Sequence, residues 1–243
     1  MISKETKIGV VFGGPSGEYE VSCVSANTII QTLIENGYQN VFPIGVAKDG
    51  KWYGPVALND VKSFDAADYA NHELIMPQRP GAMLYDAISF EPVLSIDVVF
   101  PIIHGSYGED GHIQAFLEMC RIPFVGAGMS GSLVGMDKVL MRDILKAHDI
   151  PQTACVPVRR FDFENHKTAV IEEIEAKLSY PMFVKPACSG SSVGISKVHN
   201  QEELEKALAL AGKLRKNEHS ESRADWRNGS QGPQDGSFCN TEA

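Results

Sequence analysis

Four short segments carry the residues whose types and spacing could do chemistry. In VKPACSGSSVG, Val184–Gly194, an apolar run ends at Lys185 and passes into a loop of glycine and serine. The backbone N–H groups and hydroxyls of such a loop can close on an anion, phosphate above all, while Lys185 adds a fixed positive charge. Loops of this composition also serve as plain connectors. GGPSGEYEVS, Gly13–Ser22, follows an apolar run and opens a helical pattern, the position of a phosphate site at a helix N-terminus. Its spacing is not G-x-G-x-x-G, and Glu18 and Glu20 would repel a phosphate. A carboxylate there suits an ammonium group, or else serves the helix dipole from the first turn. HGSYGEDG, His104–Gly111, stands at the carboxyl end of the strongest apolar run, where open α/β sheets place their ligands. His104 either donates a hydrogen bond to a substrate or has a structural place, and Glu109-Asp110 before Gly111 reads as an N-cap. MDK, Met136–Lys138, opens another helix, with Lys138 against the dipole preference. That placement points to a functional cation, or to an exposed lysine that tolerates it.

The elements that must position these residues alternate between strand and helix. Lys7–Phe12 reads as a buried strand stopped by Gly13-Gly14-Pro15. A helix over Glu20–Glu35 carries Ala26, Ile29, Ile30 and Leu33 at helical spacing, and Asn36-Gly37 stops it. Val41–Val46 is a second strand, and Lys48–Tyr53 predicts a tight turn at Asp49-Gly50 into a short return strand. Residues 55–95 show no clear pattern. Ile96–Ile103 is another buried strand, followed by a helix with Ile113, Phe116, Leu117 and Cys120 on one face and a short strand at Ile122–Gly126. This alternation predicts an α/β fold with a parallel sheet of the doubly wound, Rossmann-like type over residues 1–131. A second, small α/β domain is expected over 132–212. Its helices are Met136–His148, one carrying Val170, Ile171, Ile174 and Leu178, and Gln201–Ala211; its strands are Ala154–Val158, Met182–Lys185 and Gly194–Val198. From Leu214 the periodicity ends, and Ser, Asn, Gly and charge predict an irregular, disordered tail over 213–243.

The chain has 243 residues, 43% of them hydrophobic, and a net charge of −9. That charge argues against nucleic acid or an anionic membrane as the main partner, since both need a basic face. No apolar run approaches the ~20 residues that span a bilayer. The polar lead MISKETK shows no signal peptide, so a cytoplasmic location is expected. Cys23, Cys120, Cys155, Cys188 and Cys239 are scattered without metal-ligand spacing and are expected to be reduced thiols.

Taken in order, GGxSxExxVS, HGxxGEDGxxQ, MDK and VKP-x(3)-GSSxG resemble the D-alanine–D-alanine ligases of the ATP-grasp superfamily over about residues 7–212. EYEVS with PIGVAKDGKWY also resembles the vancomycin-resistance ligases that make D-alanyl-D-serine. The resemblance implies an ATP-dependent ligase of peptidoglycan synthesis, with D-alanine and ATP as partners, Mg2+ as cofactor and a homodimeric state. In that chemistry a first D-alanine is phosphorylated on its carboxylate, and the amine of a second attacks the acyl phosphate. Such catalysis is mostly positioning and charge neutralisation. The resemblance gives Glu18 the ammonium of the first D-alanine and places His104 in the wall of that site. It gives Lys138 and Lys185 the ATP phosphates. Gly190, Ser191, Ser192, Val193 and Gly194 match the loop that closes over them, and Ser191 matches an active-site serine bonded toward Glu18. Ser189 departs from relatives that carry a larger residue there.

The family pattern continues, after the helix at Gln201–Ala211, with a strand bearing adenine-contacting acids, a substrate-closing loop, a catalytic arginine and the Asp/Glu/Asn set for magnesium. None is recognisable in Leu214–Ala243, so the chain is expected to lack the C-terminal lobe of an ATP-grasp fold and its metal ligands, and to be inactive as it stands. Back-translating Arg223–Gln231 one base out of frame permits Glu-Leu-Ile-Gly-Gly-Met-Glu-Val, which resembles the family's next segment and suggests a frameshift. A non-catalytic nucleotide-binding module is the alternative. The uncovered sheet face is expected to promote association.

Overall fold

The computed structural model describes residues 3–77, 79–189 and 194–213, and the backbone of 237–242. The chain divides into two compact units, Met1–Leu133 and Val134–Ala243.

In the first unit, β1 (Ile8–Gly13) is buried along its whole length. It pairs in parallel with β2 (Val41–Val46) on one side and β7 (Val98–Pro101) on the other. A strand covered on both faces must be apolar on both, hence the unbroken run IGVVF. Ile8, Val10 and Phe12 enter the core beneath α1 (Tyr19–Glu35), while Val11 enters the core beneath α2 (His112–Met119). The period of two along β1 therefore builds two hydrophobic layers from one strand.

The sheet is mixed, which corrects the expectation of a parallel one. Beyond β2 it continues antiparallel through β3 (Trp52–Tyr53), β4 (Glu73–Ile75), β5 (Met83–Asp86) and β6 (Pro92–Ser95), in the order β6-β5-β4-β3-β2-β1-β7. Three of these four strands come from the segment with no clear pattern. They are two to four residues long and mostly covered on one face only, too short for a period to show. The strand expected at Ile122–Gly126 is reduced to a single parallel bridge between Val99 and Phe124.

The helix expected over 136–148 is α4 (Lys138–Ala147), and a further helix, α3 (Met129–Met136), precedes it. They break at Asp137, whose carboxylate caps α4 by accepting from the N–H groups of Val139 at 2.9 Å and Leu140 at 3.1 Å.

The second unit holds an antiparallel sheet, ordered β10-β9-β11-β8, from β8 (Cys155–Arg159), β9 (Met182–Pro186), β10 (Ser196–Val198) and β11 (Ser237–Glu242). Val156, Val158, Met182 and Val184 form its core with Ile171 and Ile174 of α6 (Lys167–Lys177) and Leu204 and Leu208 of α7 (Gln201–Lys213). The short α5 (Arg160–Asn165) adds Phe163. Along β9 the alternation is strict: Met182, Val184 and Pro186 are buried, and Phe183 and Lys185 lie on the other face. The backbone of 237–242 enters the sheet as β11, within a tail expected to be irregular. Main-chain ladders need no side-chain period, so a polar stretch can be recruited without a sequence signal. Cys23, Cys120 and Cys188 are free thiols, but Cys155 is disulfide-bonded, against the expectation of reduced thiols throughout. Among the described residues no helix is long and apolar enough to cross a membrane.

Candidate functional site

In the first unit the loops leaving β1 and β7 meet. Gly13 and Gly14 both have positive φ, +89° and +93°, and a side chain on Gly13 would overlap the Val46 carbonyl. Serine hydroxyls tie the two loops together. Ser22 Oγ accepts from Gly13 N–H at 2.7 Å and donates to the Ile102 carbonyl at 2.5 Å. Ser16 Oγ accepts from Glu18 N–H at 3.1 Å and donates to the His104 carbonyl at 2.7 Å.

This arrangement separates Glu18 from Glu20. Glu18 occupies the N-cap position of α1, yet its side chain makes no capping hydrogen bond. Its carboxylate lies over Gly105 instead, where an added Cβ would stand 2.6 Å from Oε2. Gly105 has φ +71°, so both its backbone shape and its lack of a side chain make room for Glu18. Glu20 is exposed and pairs with Lys48 at 3.2 Å. Its own backbone N–H, and then Lys48, hold its carboxyl below the usual range, the behaviour of a first-turn acid.

His104, the residue before Gly105, has both ring nitrogens engaged. Nδ1 is 3.3 Å from Glu109 Oε1, and Nε2 is 3.1 Å from Ser25 Oγ. The other oxygen of Glu109 accepts from Gly105 N–H at 3.1 Å. Asp110 accepts from Tyr107 N–H at 2.9 Å and faces His112 Nδ1 at 2.7 Å, whereas Gly111 is the N-cap residue of α2. Below the loop, the buried Gln114 donates to the Gly108 carbonyl at 2.7 Å, and Gly108 presses so closely on the Ile103 carbonyl that a side chain there would overlap it. Carboxylates in the loops at the ends of β1 and β7 suit an ammonium group, not a phosphate.

The second unit carries the cations. Lys138 begins α4, its N–H donates to the Ala187 carbonyl at 3.0 Å, and its Nζ donates to the Ser189 carbonyl at 2.8 Å. Burial is the main reason that its ammonium is held below the ordinary lysine pKa; Lys185 adds to the shift, while Cys188 and Asp137 oppose it. The Cys188 thiol donates to Asp137 Oδ2 at 3.2 Å, so one carboxylate both caps the helix and anchors the loop after β9. Lys185 projects from the face of β9 away from the core, with Nζ 5.7 Å from the centre of the Phe183 ring; Lys197 approaches the same ring at 5.8 Å. Among the described residues none of the three lysines has a carboxylate within ion-pair distance. Ammonium groups without a carboxylate partner beside a loop suit an anion such as phosphate. Gly194, at φ +77°, closes the described part of that loop. Gly190, Ser191, Ser192 and Val193 lie outside the described residues. Among the described residues no group of three or more His, Cys, Asp or Glu could hold a metal ion, so no residue is assigned to magnesium.

Around Glu18, His104 and Lys138 the structure adds supports to which the sequence assigned no role: Ser16, Gln114 and Asp137, which stand inside the motifs, and Ser25, which follows the first of them. The signal for Ser25 was its position three residues after Ser22, on the same side of α1.

A mixed sheet in one unit and a small antiparallel sheet in the next, with Lys185 on the face away from its core, fit the ATP-grasp class. Comparison with known proteins gives the particular branch. Residues 7–127 match the family model "D-ala D-ala ligase N-terminus", and residues 144–219 match "D-ala D-ala ligase C-terminus". The chain is 43% identical over 211 residues to the D-alanine–D-alanine ligase of Natranaerobius thermophilus, covering 86% of this chain and 58% of that one. With the Clostridium novyi ligase the identity is 41% over 208 residues, at the same coverage of 86% and 58%. The crystal structure of the VanG D-Ala:D-Ser ligase from Enterococcus faecalis superposes with a TM-score of 0.78 at 29% identity, over 98% of this chain and 63% of that one. This chain therefore belongs to the D-alanine–D-alanine ligase family, and it spans about 58% of the length of the curated relatives it matches.

Proposed function

We propose that these residues supply the first D-alanine site and the ATP-phosphate site of a ligase that joins two D-alanines for peptidoglycan in the cytoplasm. The observation that carries the reading is Glu18, whose carboxylate leaves the helix it could cap and lies over Gly105 beside His104. An ionised carboxylate in a partly enclosed loop holds an amino-acid ammonium by a charge-assisted hydrogen bond. Because the carboxylate is bonded to the same carbon as the ammonium, that contact also fixes where the carboxylate lies in the site, which is the positioning a ligase needs. His104 shapes the wall beside it.

Bound ATP supplies the phosphoryl group that turns the carboxylate of the first D-alanine into an acyl phosphate. Lys138 and Lys185 hold the phosphates and neutralise their charge, and Lys138 depends on the Ser189 carbonyl to keep its ammonium aimed. In this reading Gly190, Ser191, Ser192, Val193 and Gly194 supply the loop that closes over the phosphates and excludes water from the acyl phosphate, and Ser191 is its active-site serine. Magnesium belongs to the family's chemistry. The likeness to VanG favours a second reading, in which the second substrate is D-serine.

Calorimetric titration of the chain with D-alanine and, separately, with ATP tests the proposal. Glu18→Gln is expected to weaken D-alanine at least tenfold and leave ATP unchanged. Equal D-alanine affinity in wild type and Glu18→Gln would overturn it.

A further inference from the structure

The hydroxyl side chains of α1 divide into two groups. Thr28 and Thr32 donate back to the Val24 and Thr28 carbonyls, as helical hydroxyls ordinarily do. Ser22 and Ser25 leave the helix. Ser22 donates to the Ile102 carbonyl, and Ser25 Oγ lies 3.1 Å from His104 Nε2, a side-chain pair 79 residues apart in sequence. Side chain to side chain bonds are the minority class in folded proteins, so a long-range one from mid-helix is a specific feature.

The opposite ring nitrogen faces Glu109 Oε1 at 3.3 Å. An ionised carboxylate only accepts, so Nδ1 carries the proton; in the neutral ring Nε2 is then an acceptor, and Ser25 donates to it. Glu109 is itself fixed by the Gly105 N–H, and the His104 carbonyl by Ser16. Both ring nitrogens and the carbonyl of His104 are thus engaged.

We propose that Ser25 is a positioning residue for the D-alanine end of the site: its hydroxyl holds His104 Nε2 and, with Glu109 on Nδ1, keeps the imidazole as its Nδ1–H tautomer against α1. This rests on reading Glu18 and His104 as the D-alanine site. His104 then acts by shape, presenting no free N–H to the substrate, and Glu18 alone carries the polar contact to the ammonium. Threonine can replace the hydroxyl; alanine cannot, although it suits the helix and leaves folding intact.

Ring-nitrogen NMR of the 15N-labelled chain at mildly alkaline pH tests this without any ligand. The expected spectrum has Nδ1 protonated and Nε2 as a hydrogen-bonded acceptor. Ser25→Ala moves Nε2 to the position of an unbonded acceptor and weakens D-alanine about fivefold by calorimetry, and Ser25→Thr restores both. A wild-type ring protonated on Nε2 overturns the proposal. So does an unchanged Nε2 signal in Ser25→Ala, or an altered ring with unchanged D-alanine affinity. If the wild-type chain does not bind D-alanine, the substrate reading fails, and the ring spectra still decide the Ser25–His104 contact.

Discussion

Glu18 and Glu20 are two residues apart and alike in sequence, and the fold gives them different surroundings. Glu20 meets solvent and Lys48, whereas Glu18 meets Gly105. Glu20→Gln is accordingly expected to change D-alanine affinity by less than about twofold, the scale of an exposed ion pair; a loss as large as that from Glu18→Gln would contradict the separation. Lys138 makes a prediction about pH. Its ammonium is held below the ordinary lysine value by burial first. Only the protonated form attracts phosphate, so ATP affinity should fall as pH rises through that lowered pKa, earlier than an exposed lysine would allow. Linkage runs the other way for stability: between the lowered folded pKa and the ordinary unfolded one, the unfolded chain binds more protons. Lys138 thus disfavours folding at lower pH and ceases to do so as pH rises past the unfolded value. Calorimetric titration of ATP across alkaline pH, wild type against Lys138→Met, checks the first statement; parallel profiles would refute it.

At the scale of elements, the site residues are held by the ends of helices and strands. Asp137 serves three groups: the N–H groups of Val139 and Leu140, and the Cys188 thiol. Asp137→Ala should cost about 1 kcal/mol through the lost cap and loosen the loop that carries Ser189. Thermal unfolding together with ATP titration reads both effects, and a stable variant with normal ATP affinity would show that the cap is dispensable. Gly108 is the tightest point of the β7 loop. Gly108→Ala forces its new carbon onto the Ile103 carbonyl and should destabilise by roughly 1–3 kcal/mol while displacing the Glu109 that supports His104. A Gly108→Ala chain with unchanged melting temperature would mean that the loop can shift without cost.

At the scale of the whole molecule, each unit has its own core. Phe12 and Ile174 are fully buried in separate clusters. Phe12→Ala should destabilise by roughly 3–5 kcal/mol and Ile174→Ala by roughly 2–5 kcal/mol. Hydrogen exchange should rise around β1, β2 and β7 in the first variant and around β8 and β9 in the second. A uniform rise over the whole chain in both variants would show instead that the units unfold as one.

The sequence alone determined β1, α1, β2, β9 and α7, because each buries a continuous or regularly spaced set of apolar residues and burial leaves a period in the sequence. It also determined which side chains could do chemistry, since Glu18, His104, Lys138 and Lys185 stand in an ordered set of motifs. Tertiary structure decided what no local pattern encodes. Short strands such as β4 and β6 are held by main-chain bonds to neighbours, which leave no side-chain period. The different surroundings of Glu18 and Glu20 depend on Gly105, 87 residues from Glu18, leaving a space for one carboxylate. The setting of His104 depends on Ser25 and Glu109 reaching it from two different elements. Contacts between residues distant in sequence follow from how elements pack, and packing is a property of the folded chain.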